Sequence, residues 1–144
     1  MVQSSKLKEL SFLVYGVGLS GRSVINFFKK NGIKNFKVWD DNKKNKYIKH
    51  RSKNLIHSLN HVDYIILSPG ISLLKNKKLR KFKKKIITDI DLFYLYNKNS
   101  KSIVVTGTNG KSTTCKLLAH LLQKNRIKCS LGGNIGTPIL NLKN

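Results

Sequence analysis

Three glycine-bearing loops carry the residue types from which a ligand site could be built: Gly16-Val17-Gly18-Leu19-Ser20-Gly21, Ser68-Pro69-Gly70, and Gly107-Thr108-Asn109-Gly110-Lys111-Ser112-Thr113. Triphosphate binding requires backbone N–H groups curled around phosphate oxygens, an ammonium reaching the terminal phosphates, a hydroxyl for magnesium, and a helix N-terminus aimed at the charge. The third loop can meet each requirement. Gly107 and Gly110 permit the curl, Lys111 carries the charge, and Ser112 or Thr113 offers the hydroxyl. It departs from the common Walker spacing, which would put a glycine at Val105.

The first loop matches G-x-G-x-x-G after an apolar run. Glycines there serve a tight turn, the approach of a phosphate to backbone N–H groups, and packing of the following helix on the strand. Asp40, at the end of the next apolar run, stands where a carboxylate would meet a ribose or another sugar hydroxyl. Alone, this pattern reads as a nicotinamide or flavin dinucleotide site, or as glycines that only shape a turn. The Ser68-Pro69-Gly70 loop follows a third apolar run. Open α/β sheets place ligands at that end of their strands; proline and glycine there also suit a simple turn, and a ligand shared with Gly18, Ser20 and Asp40 is the more economical reading.

The elements needed to position these loops are visible in the pattern. Strands are expected at Ser11–Tyr15, Phe36–Trp39, Val62–Leu67, Ile86–Ile87, Ser102–Thr106 and Ile127–Leu131. Helices are expected at about Ser20–Lys30, ended by Asn31-Gly32, around Tyr47–Leu59, and at Lys111–Asn125. Strand and helix in alternation imply a parallel α/β sheet with right-handed crossovers. The polar tract Tyr96–Ser102 divides the chain, giving a Rossmann-like unit at 1–97 and the start of a P-loop-type α/β unit at 98–144. One strand-helix-strand cannot cover both faces of a parallel sheet. The second unit is therefore expected either to dock on the first or to be part of a longer protein.

Composition bounds the partners. The net charge of +23 has the sign and size of a nucleic-acid binder. Its source is 25 lysines against 4 arginines, alongside many Asn and Ile. All three share A/T-rich codons, and the arginine forks that read bases and phosphates are scarce. No nucleic-acid partner is expected on charge alone, and the basic tract Lys75–Lys85 reads as a solvated helix face. Apolar runs such as Tyr64–Leu67 are too short to cross a bilayer, and the N-terminus carries no secretory pattern. Two widely spaced cysteines, Cys115 and Cys129, argue against a disulfide framework or zinc site, so a cytoplasmic location is expected. The histidines His50, His57, His61 and His120 read as surface or packing residues.

The shorter loop T-G-T-N-G-K-S-T resembles the ATP loop of the Mur ligase and folylpolyglutamate synthetase superfamily. GVGLSGRS, LSPGI at Leu67–Ile71, DIDLF at Asp89–Phe93, GTNGKST and GGNIGTP at Gly132–Pro138 follow the order and spacing of its MurD branch. One departure is Asp91, where that branch usually has glutamate. The resemblance implies a peptidoglycan-synthesis ligase that uses ATP and Mg2+ to join D-glutamate to UDP-N-acetylmuramoyl-L-alanine through an acyl phosphate. It implies a UDP-sugar site at Gly18, Leu19, Ser20, Asp40, Asp41, Ser68, Pro69, Gly70 and Asn134. It also implies an ATP site at Gly107–Thr113, with Lys111 catalytic and Ser112 and Thr113 toward the metal. The D-glutamate site, further magnesium ligands and a closing domain would lie outside these residues. The chain is accordingly expected to be the N-terminal portion of a monomeric enzyme and inactive as a ligase alone. The rival readings are a basic nucleotide- or nucleic-acid-binding module and a dinucleotide-binding oxidoreductase fragment.

Overall fold

The computed structural model describes residues 2–42, 50–97, 99–133 and 137–142. Four parallel strands, β1 (Phe12–Tyr15), β2 (Phe36–Trp39), β3 (Tyr64–Leu67) and β4 (Ile86–Ile87), form one sheet in the order β2-β1-β3-β4. Phe12 pairs with Phe36 on one side and Tyr64 on the other, and Tyr15 with Trp39 and Leu67. The carboxyl ends of the three longer strands are therefore level. The loops that follow them open onto one rim.

Helices α1 (Val2–Glu9), α2 (Leu19–Lys30), α3 (Leu55–His61), α4 (Lys77–Arg80) and α5 (Asp89–Tyr96) surround this sheet. Strand side chains alternate between faces, and every residue of β1 is buried because both faces are covered. Phe12, Val14 and Ile66 join Val24, Phe28 and Leu92 in one core; Leu13, Tyr15, Ile65 and Leu67 join Leu59 and Leu79 in the other. Ring contacts extend the first core, with Phe12–Phe28 centroids at 4.9 Å and Phe27 meeting Tyr96 edge-on at 4.9 Å. Such pairs add roughly 0.5–1.5 kcal/mol each beyond burial. The Tyr96 hydroxyl also donates to Asn31 Oδ1 at 2.6 Å, tying the end of α5 to the C-cap of α2.

The four expected strands of the first unit are present. The helix expected around Tyr47–Leu59 is shorter and later, at Leu55–His61, and residues 43–49 of that span lie outside the described residues. Asn54 ends the preceding extended backbone by accepting a hydrogen bond from His57 N, which sets the helix start. Helix α5 was not foreseen. Its signal is a capping box, with the Thr88 hydroxyl accepting from Asp91 N while Asp91 Oδ2 accepts from Thr88 N at 2.7 Å. The departure at Asp91 thus performs a local task that a short carboxylate suits. In the basic tract, Leu79 is buried and Phe82 packs on the same core while Lys77, Lys78, Lys81, Lys83 and Lys84 face solvent.

The second unit differs from expectation. Helix α6 (Lys111–Lys124) forms, but residues 102–106 and 127–131 join no ladder. Ile103 is 65% exposed and Val104 74%, so their apolar side chains have nothing to lie against. A parallel strand needs neighbours for its hydrogen bonds and cover for both faces, and one helix supplies neither. Among the described residues, the P-loop-type sheet expected here is therefore absent. A short 3-10 turn at Ile139–Asn141 does return to the first unit, where Leu140 packs on the α2/α5 side of the core.

Candidate functional site

The level strand ends bring three loops together around a cleft of about 610 Å³. Gly18, Leu19, Ser20, Asp40, Asp41, Ser68, Pro69 and Gly70 all line it. These are the first-unit residues that sequence reasoning assigned to a UDP-sugar. Gly133 and Pro138, on either side of the expected Asn134, line it too; Asn134 itself lies outside the described residues.

The glycines of the first loop have separate physical reasons. Gly16 has φ +95°, and a Cβ there would meet Ser68 Cβ at 2.8 Å. At Gly21 a Cβ would fall 1.9 Å from the Gly16 carbonyl oxygen, so the helix can approach the turn only without a side chain. A Cβ at Gly18 would meet nothing within 4 Å. Its smallness does not serve the fold, and the open side faces the cleft. Gly18 is also the N-cap of α2 and offers no side-chain cap, with no acidic residue in the first turn. A helix start left in that state favours an anion.

Hydrogen bonds fix the loops to one another. Gly16 N donates to Trp39 O at 2.8 Å, and Ser68 Oγ donates to Gly16 O at 3.0 Å. Asp40 accepts from Val17 N through Oδ2 and from Asn42 N through Oδ1, both at 2.8 Å. That carboxylate is thus a clamp between the first and second loops as well as part of the rim. Asp41 accepts from the Tyr15 hydroxyl and from Trp39 Nε1, each at 3.0 Å. Sequence reasoning missed Tyr15, Asn42 and Ile71; the first is hidden in an apolar strand pattern, and its polar end shows only in three dimensions.

The Gly107–Thr113 loop is separate from this cleft's lining. Gly107 (φ +142°) and Gly110 (φ +75°) adopt backbone conformations that favour glycine, and Gly110 caps α6 without a side-chain bond. Lys111 Nζ donates back to Gly107 O and, at 2.9 Å, to Thr108 O. The ammonium closes the loop on itself. Ser112 and Thr113 stand in the first turn of α6, Ser112 half-buried and Thr113 exposed. Loop, lysine and hydroxyls fit a nucleotide triphosphate with its magnesium, because the helix start is uncapped and a Cβ at Gly110 would meet open space. Among the described residues, no group of three or more His, Cys, Asp or Glu could hold a metal. No described helix is long and apolar enough to cross a membrane. Cys115 and Cys129 are unpaired thiols.

A parallel sheet covered on both faces, with a glycine turn and acidic strand ends around a cleft at its carboxyl rim, defines a Rossmann-like binding domain. The family model described as Mur ligase MurD-like, N-terminal domain, matches residues 10–90, and the chain belongs to that family. It is 42% identical to a UDP-N-acetylmuramoylalanine–D-glutamate ligase of Wolbachia sp. subsp. Brugia malayi (strain TRS), over 99% of this chain and 31% of that protein. It is 40% identical to the ligase of the same name from Buchnera aphidicola subsp. Schizaphis graminum (strain Sg), over 92% of this chain and 32% of the relative. For that of Rickettsia prowazekii (strain Madrid E) the identity is 39%, over 90% and 31%. The chain spans about a third of the length of the curated relatives it matches. Members of this family are enzymes, ligases of peptidoglycan synthesis, and the family that the resemblance named is the one matched.

Proposed function

We propose that residues 1–97 bind UDP-N-acetylmuramoyl-L-alanine and that residues 98–144 begin an ATP-binding unit, together forming the N-terminal part of a ligase that adds D-glutamate. The observation that supports this reading is the cleft, which Gly18, Leu19, Ser20, Asp40, Asp41, Ser68, Pro69 and Gly70 line together. The diphosphate would lie over the start of α2, receiving backbone N–H groups next to Gly18 and Ser20. Leu19 is 81% exposed at the cleft, an apolar surface for the base or sugar to cover. Asp40 and Asp41 take the uridine rim, and Ser68, Pro69 and Gly70 the opposite wall. The muramoyl side is assigned to Asn134 by the resemblance alone, and its neighbours Gly133 and Pro138 line the cleft.

Bound ATP with Mg2+ would supply the phosphoryl group that activates the substrate carboxylate as an acyl phosphate, releasing ADP, and the D-glutamate amine would then displace phosphate to form the amide. For that, Lys111 must exchange the carbonyls of Gly107 and Thr108 for phosphate oxygens, so that its charge faces the moving phosphoryl group. Gly107, Thr108, Asn109 and Gly110 would present the loop to the phosphates, and Ser112 and Thr113 would offer hydroxyls to the metal. The protein works in the cytoplasm as a monomer. A dinucleotide oxidoreductase would leave GTNGKST and GGNIG unused, and no observation favours it.

Titration calorimetry of this chain with UDP-N-acetylmuramoyl-L-alanine and with NAD tests the reading. Binding of the UDP-sugar and not of NAD is expected. Gly18→Val should weaken that binding about 100-fold, by filling space open to the ligand, with little change in melting temperature. Tighter binding of NAD, or indifference to Gly18→Val, would remove the proposal.

A further inference from the structure

The acidic edge of the cleft is built on a phenol that belongs to no motif. Tyr15 ends β1 and is 1% exposed. Its hydroxyl donates to Asp41, lying 3.0 Å from both carboxylate oxygens, and accepts from Asn76 Nδ2 at 3.3 Å. Asn76 is itself anchored, since its Oδ1 accepts from Leu79 N as the cap of α4. Trp39 Nε1 completes the ring of donors, 3.0 Å from Asp41 Oδ1. Burial, then the hydrogen bond to Asp41, raises the Tyr15 pKa above its ordinary value, so the phenol remains a donor through neutral pH. Asp41 is exposed and lines the cleft. A carboxylate offers about four lone-pair sites, so acceptor capacity remains beyond the Tyr15 and Trp39 bonds.

We propose that Tyr15 is a positioning residue for substrate recognition, holding Asp41 so that its remaining acceptor sites meet an N–H donor on the base edge of a nucleoside diphosphate. The inference rests on the reading of the cleft as a UDP-sugar site. A free surface aspartate samples several rotamers, and a ligand that needs one of them must order it on binding. Three anchored elements, the end of β1, the end of β2 and the cap of α4, remove that cost in advance.

Calorimetry on the chain with UDP and with inorganic pyrophosphate separates positioning from support of the fold, because pyrophosphate engages the start of α2 and not the base edge. Tyr15→Phe should weaken UDP about tenfold and leave pyrophosphate unchanged, and should add nothing in an Asp41→Ala background. Trp39→Phe, which removes the other donor from a half-buried position, should weaken UDP by about threefold in the same selective way. It decides the question if Tyr15→Phe does not fold. Equal loss of both ligands, an undiminished effect in Asp41→Ala, or unchanged UDP affinity would overturn the positioning role alone. A wild-type chain that does not prefer UDP to pyrophosphate would overturn the UDP-sugar reading and this inference with it.

Discussion

The two glycine loops differ in what holds them. Around Gly16–Gly21 the backbone is bonded to Trp39 O, to Ser68 Oγ and to the Asp40 carboxylate, three contacts from two neighbouring loops. Around Gly107–Gly110 the hydrogen bonds come from within, from Lys111 to Gly107 and Thr108 and from Thr114 to Gly110. The helices that follow repeat the contrast. Helix α2 buries Val24, Ile25, Phe27 and Phe28, while α6 buries none of its residues and leaves Leu117 58% and Leu121 48% exposed. A glycine loop and an amphipathic helix can thus be written locally. The bonds that hold the first come from strands and loops 23 to 52 residues away in the chain.

Substitutions that cost packing should therefore act on one loop and spare the other. Gly21→Ala would set a Cβ against the Gly16 carbonyl, and we expect a loss of about 3 kcal/mol of stability. Gly110→Ala meets no atom and suffers only its left-handed φ, about 1 kcal/mol, confined to the start of α6. Leu92→Ala in the buried core should cost roughly 2–5 kcal/mol, whereas Leu121→Ala should stay within about 0.5 kcal/mol. Urea denaturation followed by Trp39 fluorescence measures the two core variants, and far-UV circular dichroism of the helix signal measures the two in α6. Equal shifts for the members of either pair would break the contrast.

How much of this was readable in the chain follows the same division. SFLVY, FKVW and YIIL announce strands because they are short, β-branched or aromatic and bounded by turns; β1 and β3 find cover on both faces, and β2 pairs at the edge with Lys37 exposed. SIVVT carries the same local signal and stays outside the sheet, since the pattern states what a strand needs without stating that it will be met. Helix α5 was hidden because DIDLFYLY is apolar nearly all round and lacks a 3.6-residue stripe; its Thr88–Asp91 cap was the available signal. The rim glycines and Asp40 were legible as a motif. The Tyr15 clamp was not, because a buried tyrosine in a strand looks like core until the neighbouring strand end supplies its partner.

The first unit is also tied at the opposite end of its sheet, and this tie responds to pH. Asp63 Oδ2 accepts from Ser11 N at 2.7 Å and from Ser11 Oγ at 2.6 Å, joining the entries to β3 and β1. The Ser11 hydroxyl, then its backbone N–H, lowers the Asp63 pKa below its usual value. A lowered folded-state pKa stabilises fully above the unfolded value of about 3.9 and loses that contribution as pH falls through the folded one. Because the group is exposed, the contribution is expected to be below about 1 kcal/mol. Asp63→Asn should lower the melting temperature by a few degrees from about pH 5 upward, with the difference closing as the pH drops below about 4. A difference independent of pH would mean that geometry and not charge makes the tie.

One expected effect is a gain. Ser23 is 2% exposed on α2, and its hydroxyl has no hydrogen-bond partner among the described residues. Ser23→Ala removes an unsatisfied buried polar group and installs a better helix former, so a stabilisation of about 1 kcal/mol is expected. The matching hydroxyl near the start of α6, Thr114 Oγ1, is exposed and bonded to Gly110 O at 3.0 Å, so Thr114→Ala should move stability by less than about 0.5 kcal/mol. The sign of the first result matters more than its size. A gain means that α2 is held by its apolar neighbours strongly enough to tolerate a buried hydroxyl without a partner, a margin that α6, with no buried residue, does not possess. A loss would mean that Ser23 bonds to something inside the core, and that the difference between the two helices owes less to apolar packing than their burial implies.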